Sequence, residues 1–259
     1  MSLAPPLASS ARSPRALRAL VAASTLLLFS LSCARRRPPP DSTGQLAAPA
    51  SPDPSSPRLA VRRLVAPLAL DGRLEEPAWQ SASRTGPLRE PDTDAIARPY
   101  SEARFLHDDD NLYVALYAAD EDVRATASHD GPLWAADAFS LRLQPSSGPC
   151  FDLDLAPNGA VTDFREDHGR RDLSWESGAL VSVDVDETLN DDRDIDEEWV
   201  IEAAIPWSSL GLAGPPASLG VSVRRCDILR DRSRRCGQWG AARGEPAGRL
   251  EFAPRGQRP

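Results

Sequence analysis

Residues 139–155 read FSLRLQPSSGPCFDLDL: two segments in which every second residue is apolar, joined by a turn rich in Pro, Ser and Gly. A period of two places the apolar side chains on one face of a β-strand and the polar side chains on the other. Short strands with one wet face are typical of an antiparallel sheet that covers a core. The other predicted strands are Ala103–His107 and Leu112–Tyr117, which flank a tight acidic turn, and the segments Val181–Val185, Trp199–Ile205, Val221–Val223 and Leu250–Ala253.

These segments predict one all-β domain, an antiparallel β-sandwich, over residues 64–253. Turn signals separate the segments, and no helical stripe longer than two turns interrupts them. About 190 residues suit one domain of this kind. Residues 254–259 would then form a short C-terminal tail.

The first 33 residues have the layout of an export signal. Three Arg residues precede an apolar run at residues 19–31, which is shorter than the ~20 residues that a transmembrane helix needs. The run ends at Ser32-Cys33, and the segment FSLSC resembles a bacterial lipobox, which implies that Cys33 becomes the lipidated first residue. The alternative is an ordinary signal peptide with an incidental Cys. Both alternatives predict an exported protein. The first also predicts a membrane-anchored lipoprotein, at the outer membrane or cell surface if the source is a diderm bacterium.

Residues 34–63 are dominated by Pro, Ser, Ala and Arg, with few bulky apolar residues. Such a segment buries too little surface to offset the entropy cost of ordering, so we expect a disordered tether. Nine of the 30 Arg residues, but only two of the 38 acidic residues, precede residue 64. The remaining chain is therefore strongly acidic. That charge disfavours nucleic-acid binding and suits divalent cations or neutral polar ligands.

Three cysteines follow Cys33. Cys226 and Cys236 lie at the facing ends of two predicted strands, and an exported protein meets an oxidising compartment, so a disulfide between them is expected. Cys150 is not part of the expected disulfide, and we expect it to be a small, buried apolar residue. None of the cysteine spacings is typical of zinc ligation.

Five motifs occur in a fixed order along the predicted domain, and together they resemble the family 9 carbohydrate-binding module and its relatives over about residues 70–253. The resemblance implies a β-sandwich that binds saccharides, frequently with Ca²⁺ present, and that accompanies secreted glycoside hydrolases. The motifs are LDGRLEEPAW (70–79), HDDDNLYVALY (107–117), DGPLWAAD (130–137), FDLDLAPN (151–158) and WVIEAAIPWSSL (199–210).

The resemblance also implies a saccharide site. Trp134 lies outside the β-alternation, and the matching Trp of the family stacks on a sugar ring. Asp152 and Asp154 share one strand face, about 7 Å apart, at positions where the family hydrogen-bonds sugar hydroxyls. Ser140 stands where sugar-binding members have a carboxylate. The alternative is that the two aspartates lie on a solvent-exposed strand face with no ligand, where Arg142 neutralises part of their charge.

Several conspicuous residues have structural readings instead. Trp79 is expected to plug one side of the sandwich, Trp199 to face the core and Trp207 to pack in a turn. Glu202 points away from the face of Trp199 and should be exposed or paired. Asp108–Asp110 reads as a solvated hairpin turn rather than a metal loop, and no metal ligands are assigned.

The predicted function is an exported, non-catalytic domain that holds a saccharide or glycan, in support of carbohydrate catabolism. The main alternative is a structural or partner-binding surface lipoprotein with a decayed sugar site, because residues 243–248 lack the second Trp of the family. A haem-binding relative is disfavoured. Met1 is the only Met, so iron ligation by a Met and a His is excluded, and ligation by two of His107, His129 and His168 is the one mode that stays open. A glycoside hydrolase would need two carboxylates with unequal pKa values, and Asp152 and Asp154 share one exposed face.

Overall fold

The computed structural model of the chain describes residues 56–242, 245–246 and 248–253. The predicted export signal with Cys33, most of the predicted tether and the tail at 254–259 lie outside the described residues, and they stay predictions. Within the described part, no helix is long and apolar enough to cross a membrane.

Strands make up nearly all of the regular structure in the described residues, which confirms the all-β prediction. One helix, α1, spans Pro77–Ser81, and two 3₁₀ turns span Leu133–Ala135 and Trp207–Leu210. The strands are β1 (Arg58–Arg63), β2 (Ser83–Arg84), β3 (Ser101–His107), β4 (Asn111–Ala119), β5 (Ala138–Gln144), β6 (Cys150–Leu155), β7 (Val161–Asp167), β8 (Arg170–Asp172), β9 (Leu180–Val185), β10 (Glu198–Pro206), β11 (Ser218–Ile228), β12 (Arg234–Trp239), β13 (Ala241–Ala242), β14 (Glu245–Pro246) and β15 (Gly248–Phe252).

Thirteen of the strands form one curled sheet whose two halves share β1, and β13 and β14 form a separate two-stranded sheet. The first half has the order β8-β7-β6-β5-β11-β15-β1, and the second half has the order β1-β3-β4-β10-β9. The strand β1 runs parallel to both of its neighbours, β15 and β3. The fold is therefore a mixed sheet at β1, whereas antiparallel pairing was predicted throughout.

The position of β1 also moves the start of the domain from residue 64 to Arg58. Three of its six residues are Arg, so the segment looked like part of the tether, although Val61 is buried. Parallel backbone pairing on both sides holds this strand, and its first residue forms an ion pair with Glu251 at 2.7 Å. A short strand held mainly by its backbone leaves a weak hydrophobic pattern in the sequence.

The main core lies between the two halves of the sheet. Phe139 on β5 and Trp199 on β10 meet there with ring centroids 5.1 Å apart, and both side chains are fully buried. Trp207 is also buried, as predicted, and its ring packs edge-on against Phe252. Burial of such large rings is the main source of core stability.

The outer face of the second half is covered by the segment before β2. Trp79 of α1 is fully buried against Leu106 of β3 and Ala115 of β4, as the plug prediction required. Because β4 is largely buried on both faces, its sequence NLYVALYAA is nearly a continuous apolar run, whereas β3 (SEARFLH) also carries Glu102 and Arg104.

Glu202 of β10 fixes this covering segment. Its carboxylate accepts hydrogen bonds from the backbone N–H groups of Asp71 at 2.9 Å, Gly72 at 3.1 Å and Leu74 at 3.1 Å. Gly72 has φ +91° and lies so close to β9 that a Cβ would sit 2.5 Å from the backbone nitrogen of Asp184. Two of the five sequence motifs therefore meet at one buried carboxylate, which resolves the open prediction for Glu202 as paired.

The expected disulfide is present in the structure. Cys226 of β11 and Cys236 of β12 are directly opposite each other, with Cα atoms 4.2 Å apart. Cys150, at the start of β6, is buried and forms no disulfide.

Candidate functional site

The outer surface of β5, β6 and β7, here called the polar face, carries the predicted ligand residues. Ser140 lies opposite Asp154 on the neighbouring strand, and Arg142 lies opposite Asp152. Phe151, Leu153 and Leu155 alternate with the two aspartates and are buried in the core. The face also includes Thr162, Phe164 and Glu166 of β7.

Asp152 is held by Arg142. Nη1 of Arg142 donates to both carboxylate oxygens of Asp152, at 3.1 and 3.0 Å, and Nη2 donates to Glu166 at 3.3 Å. Burial raises the pKa of Asp152 to about 6, against the opposing effect of Arg142. One of the two predicted ligand carboxylates is therefore already occupied, as the alternative interpretation of this face required.

Asp154 has a different environment. Burial raises the pKa of its carboxyl group, while a hydrogen bond with the Ser140 hydroxyl and the charges of Arg171 and Arg224 lower it. A neutral hydroxyl partner leaves lone pairs on the carboxylate oxygens. Asp154 is thus better placed than Asp152 to accept hydrogen bonds from a ligand.

The loop that carries Trp134 is fixed beside Asp154. The Thr162 hydroxyl donates to the Gly131 carbonyl at 2.8 Å, and Thr162 is paired with Asp154 across the strands. Leu133 is buried in a small cluster, while Trp134, the next residue in the 3₁₀ turn, is 63% exposed. A Trp ring of that exposure on a fixed loop offers a flat apolar surface to a ligand.

A shallow groove of about 330 Å³ continues the polar face at the opposite end of β7. Its rim includes Arg142 and Glu166, so the groove is continuous with the ion pairs at the centre of the face. Its lining residues are Arg142, Gln144, Gly148, Cys150, Glu166, Asp167 and His168.

Three groups of potential metal ligands occur in the described residues. The group His129, Asp130 and Glu176 is exposed, and the group Asp71, Glu76 and Glu202 includes the carboxylate that binds backbone N–H groups. The third group, Asp120, Asp137 and Asp227, is fully buried. The predicted turn at Asp108–Asp110 is a structural one, because Asp108 Oδ1 accepts the backbone N–H groups of Asp110 and Asn111.

The three histidines lie in unrelated environments. His107 is buried and packs edge-on against Phe252, with ring centroids 5.0 Å apart. His129 and His168 are exposed and lie beside acidic side chains. None of the ligand groups found in the described residues contains two histidines.

The structure brings Ser140, Asp152 and Asp154 together on one face and holds the Trp134 loop at its end. Sequence reasoning missed the contributions of β7 and β8: Glu166 shares Arg142 with Asp152, and Arg171 lies 4.6 Å over the ring of Phe164. The alternation of these two strands is weak, so nothing in the sequence marked them as part of the face.

No protein-family model and no curated protein matches the chain. Among solved structures, a protein from Bacteroides uniformis, proposed there to bind carbohydrate, is similar with a TM-score of 0.62 and 17% identity, over 77% of this chain and 100% of that one. A family 9 carbohydrate-binding module from Caldicellulosiruptor kristjanssonii in complex with cellotriose has a TM-score of 0.53 and 16% identity, over 76% of this chain and 94% of that one. The corresponding complex with glucose has a TM-score of 0.53 and 14% identity, over 78% and 98%. The chain therefore has the fold of the family 9 carbohydrate-binding modules, as the ordered motifs predicted.

Proposed function

We propose that this protein is a non-catalytic carbohydrate-binding protein that holds a saccharide between Trp134 and the polar face. The observation that carries the proposal is the exposed Trp134 ring on a loop fixed next to Asp154. A flat aromatic face matches the C–H face of a sugar ring, and a carboxylate beside it can accept hydrogen bonds from sugar hydroxyls. Similar folds that hold cellotriose and glucose support this ligand class.

A binding role fits the polar face better than glycoside hydrolysis does. Hydrolysis needs one carboxylic acid and one carboxylate, both free to act on the sugar. Both oxygens of Asp152 are engaged by Arg142, so that of the two carboxylates on this face Asp154 alone is left to act on a sugar. The sugar would therefore be held and not cleaved.

We expect Trp134→Ala to weaken saccharide binding by about 10- to 100-fold with little change in stability, because a stacked aromatic ring contributes about 1–3 kcal/mol. A glycan array on the purified full-length protein would first identify the ligand, with cellotriose and glucose among the probes. Isothermal titration of the wild type and the variant then measures the loss. Asp154→Ala should weaken the same titration, since it removes the carboxylate that faces the ligand.

Leu180→Ala is the matched control, because Leu180 is 69% exposed but lies on β9, in the other half of the sheet. It should leave the affinity unchanged. If no glycan binds the wild type, or if Trp134→Ala binds as tightly as Leu180→Ala, the saccharide site is absent. The protein would then be a structural or partner-binding protein, a reading favoured by the neutralisation of Asp152 by Arg142.

We further propose that the protein is exported and anchored through a lipid on Cys33, with the following residues as a tether. An anchored binding domain would keep captured saccharide at the cell surface, where carbohydrate catabolism could use it. Mass spectrometry of detergent-extracted protein should find Cys33 as the lipidated N-terminal residue. A mature protein that begins at another residue and is released without detergent would contradict the anchor.

A further inference from the structure

The groove at the end of β7 and the Trp134 loop lie on the same face of the sheet. Thr162 and Glu166 are both on β7 and an even number of residues apart, so the period of two places their side chains on one face. The Thr162 hydroxyl donates to the Gly131 carbonyl of the Trp134 loop at 2.8 Å, and Glu166 lines the groove. The polar face therefore has a candidate ligand contact at each end of one strand.

The distance between these two ends is several times the size of one sugar ring. A strand rises about 3.3 Å per residue, so Thr162 and Asp167 are about 17 Å apart along β7. The Trp134 loop is held at the first of these positions, and the groove extends from the last to His168. One or two sugar rings at Trp134 would be too short to fill the groove, whereas a longer chain could contact both ends.

A planar, hydrogen-bonding group covers the surface between the two ends. The guanidinium of Arg171 lies 4.6 Å over the ring of Phe164, and its Nε donates to Glu166 at 3.2 Å. The side chain of Arg171 is nevertheless 62% exposed. A guanidinium fixed in this way presents a flat surface to a sugar ring and keeps N–H donors for its hydroxyls.

The groove itself offers both donors and acceptors. Gln144 supplies a side-chain amide, His168 supplies ring nitrogens and Asp167 supplies a carboxylate. Sugar hydroxyls both donate and accept hydrogen bonds, so a mixed lining of this kind suits them. The groove volume of about 330 Å³ is at the lower end of the range of about 300–1,000 Å³ for small-ligand pockets, which is enough for a short part of a chain.

The ion pairs along this surface balance one another. Arg142 contacts Asp152 at 3.0 Å and Glu166 at 3.3 Å, and Arg171 shares Glu166. Two guanidinium groups thus face two carboxylates, which leaves no excess charge between them for an ionic ligand. The whole chain has a formal net charge of −8, which repels polyanions. An uncharged chain therefore fits this surface best.

We infer that the polar face binds an uncharged oligosaccharide chain that runs along β7, from Trp134 over Arg171 into the groove beside Gln144. This inference rests on the proposed saccharide site at Trp134 and adds a second contact far from it. The site would then select a chain of several sugar units over a single sugar or a disaccharide. The ligand class that follows is a neutral polysaccharide or long oligosaccharide.

Isothermal titration of the full-length protein with cellobiose and cellohexaose tests the length of the site. Cellohexaose should bind about 10- to 100-fold more tightly, because about two added hydrogen bonds contribute that much. If the glycan array identifies another neutral glycan, its disaccharide and hexasaccharide replace these probes. Similar affinities for the short and the long probe would overturn the inference and leave the saccharide site at Trp134 intact. Binding of no glycan at all would contradict the proposed function itself.

Two variants test the contacts far from Trp134. Arg171→Ala should weaken binding of cellohexaose about 10-fold and leave binding of cellobiose unchanged, and Gln144→Ala should have the same selective effect from within the groove. A loss for both probes in Arg171→Ala would contradict the inference, because a separate contact for long chains cannot produce it. If Arg171→Ala does not fold, Gln144→Ala decides.

Arg165→Ala is the matched control for Arg171→Ala. Arg165 is half exposed and contacts Asp172 of β8 at 2.8 Å, but its position on β7 places it on the opposite face from Phe164 and Glu166. This variant should leave both affinities unchanged. If it weakens cellohexaose binding as much as Arg171→Ala does, the loss comes from a disturbed sheet edge and the inference is wrong.

Discussion

Replacing Glu202 with Ala should lower the free energy of unfolding by about 3–5 kcal/mol, because the change leaves three backbone N–H groups near or in the interior without their acceptor. Glu202 is fully buried and binds the N–H groups of Asp71, Gly72 and Leu74. The same change opens a cavity under the segment that carries Trp79. Chemical denaturation measures the loss, and faster hydrogen exchange of the three amides would locate it.

Glu202→Gln separates the hydrogen bonds from the volume of the side chain. The amide keeps one acceptor oxygen and the size of the side chain, so this variant should lose less than half as much stability as Glu202→Ala. Equal losses in the two variants would mean that both carboxylate oxygens are needed as acceptors, because the NH₂ group of Gln cannot accept a backbone N–H. A loss under ~1 kcal/mol in Glu202→Ala would show that the segment is held mainly by the packing of Trp79.

Trp199→Ala should also cost about 3–5 kcal/mol of unfolding free energy, the usual range for removing a buried Trp. Its ring is fully buried against Phe139, and its indole N–H donates to Asp120. The variant would lose packing between the two halves of the sheet and leave Asp120 with one donor fewer. Denaturation at equilibrium would measure the change.

Trp134→Ala is the control for this second prediction, because it removes the same side chain from an exposed position. Its unfolding free energy should stay within about 0.5 kcal/mol of the wild type. If the two variants lose similar stability, Trp134 is part of the packing and its stacking role becomes untenable.

The alternating strands were predictable because burial on one face leaves a period of two in the sequence. This rule located β5, β6 and β10, put Trp199 in the core and placed Asp152 and Asp154 on one face. The rule failed for β1, which is held by backbone pairing with β15 and β3 more than by side-chain burial. Because three of its residues are Arg, the segment was assigned to the tether. The alternation of apolar and polar residues reflects side-chain burial. A strand that is held mainly by backbone hydrogen bonds therefore shows little alternation in its sequence.

The buried charges were not predictable for a related reason. Charged side chains are rarely buried, and nothing in the sequence marked Asp120, Asp137, Arg225 and Asp227 as exceptions. Their proximity depends on which strand ends meet in space, and the sequence does not encode strand order locally. Likewise the pairing of Asp154 with Ser140 follows from the register of β5 and β6, which no single motif contains.

The parallel placement of β1 and β15 determines how the domain would respond to a pulling force. The two strands are neighbours, and the chain enters β1 at Arg58 beside Arg249 and leaves β15 at Phe252 beside Val61. A force applied between the two ends of the domain would therefore act along both strands and shear their hydrogen bonds together, instead of opening them one at a time. Because β1 also bonds to β3, the other half of the sheet would share that force, and a domain pulled through residues before Arg58 would resist extension.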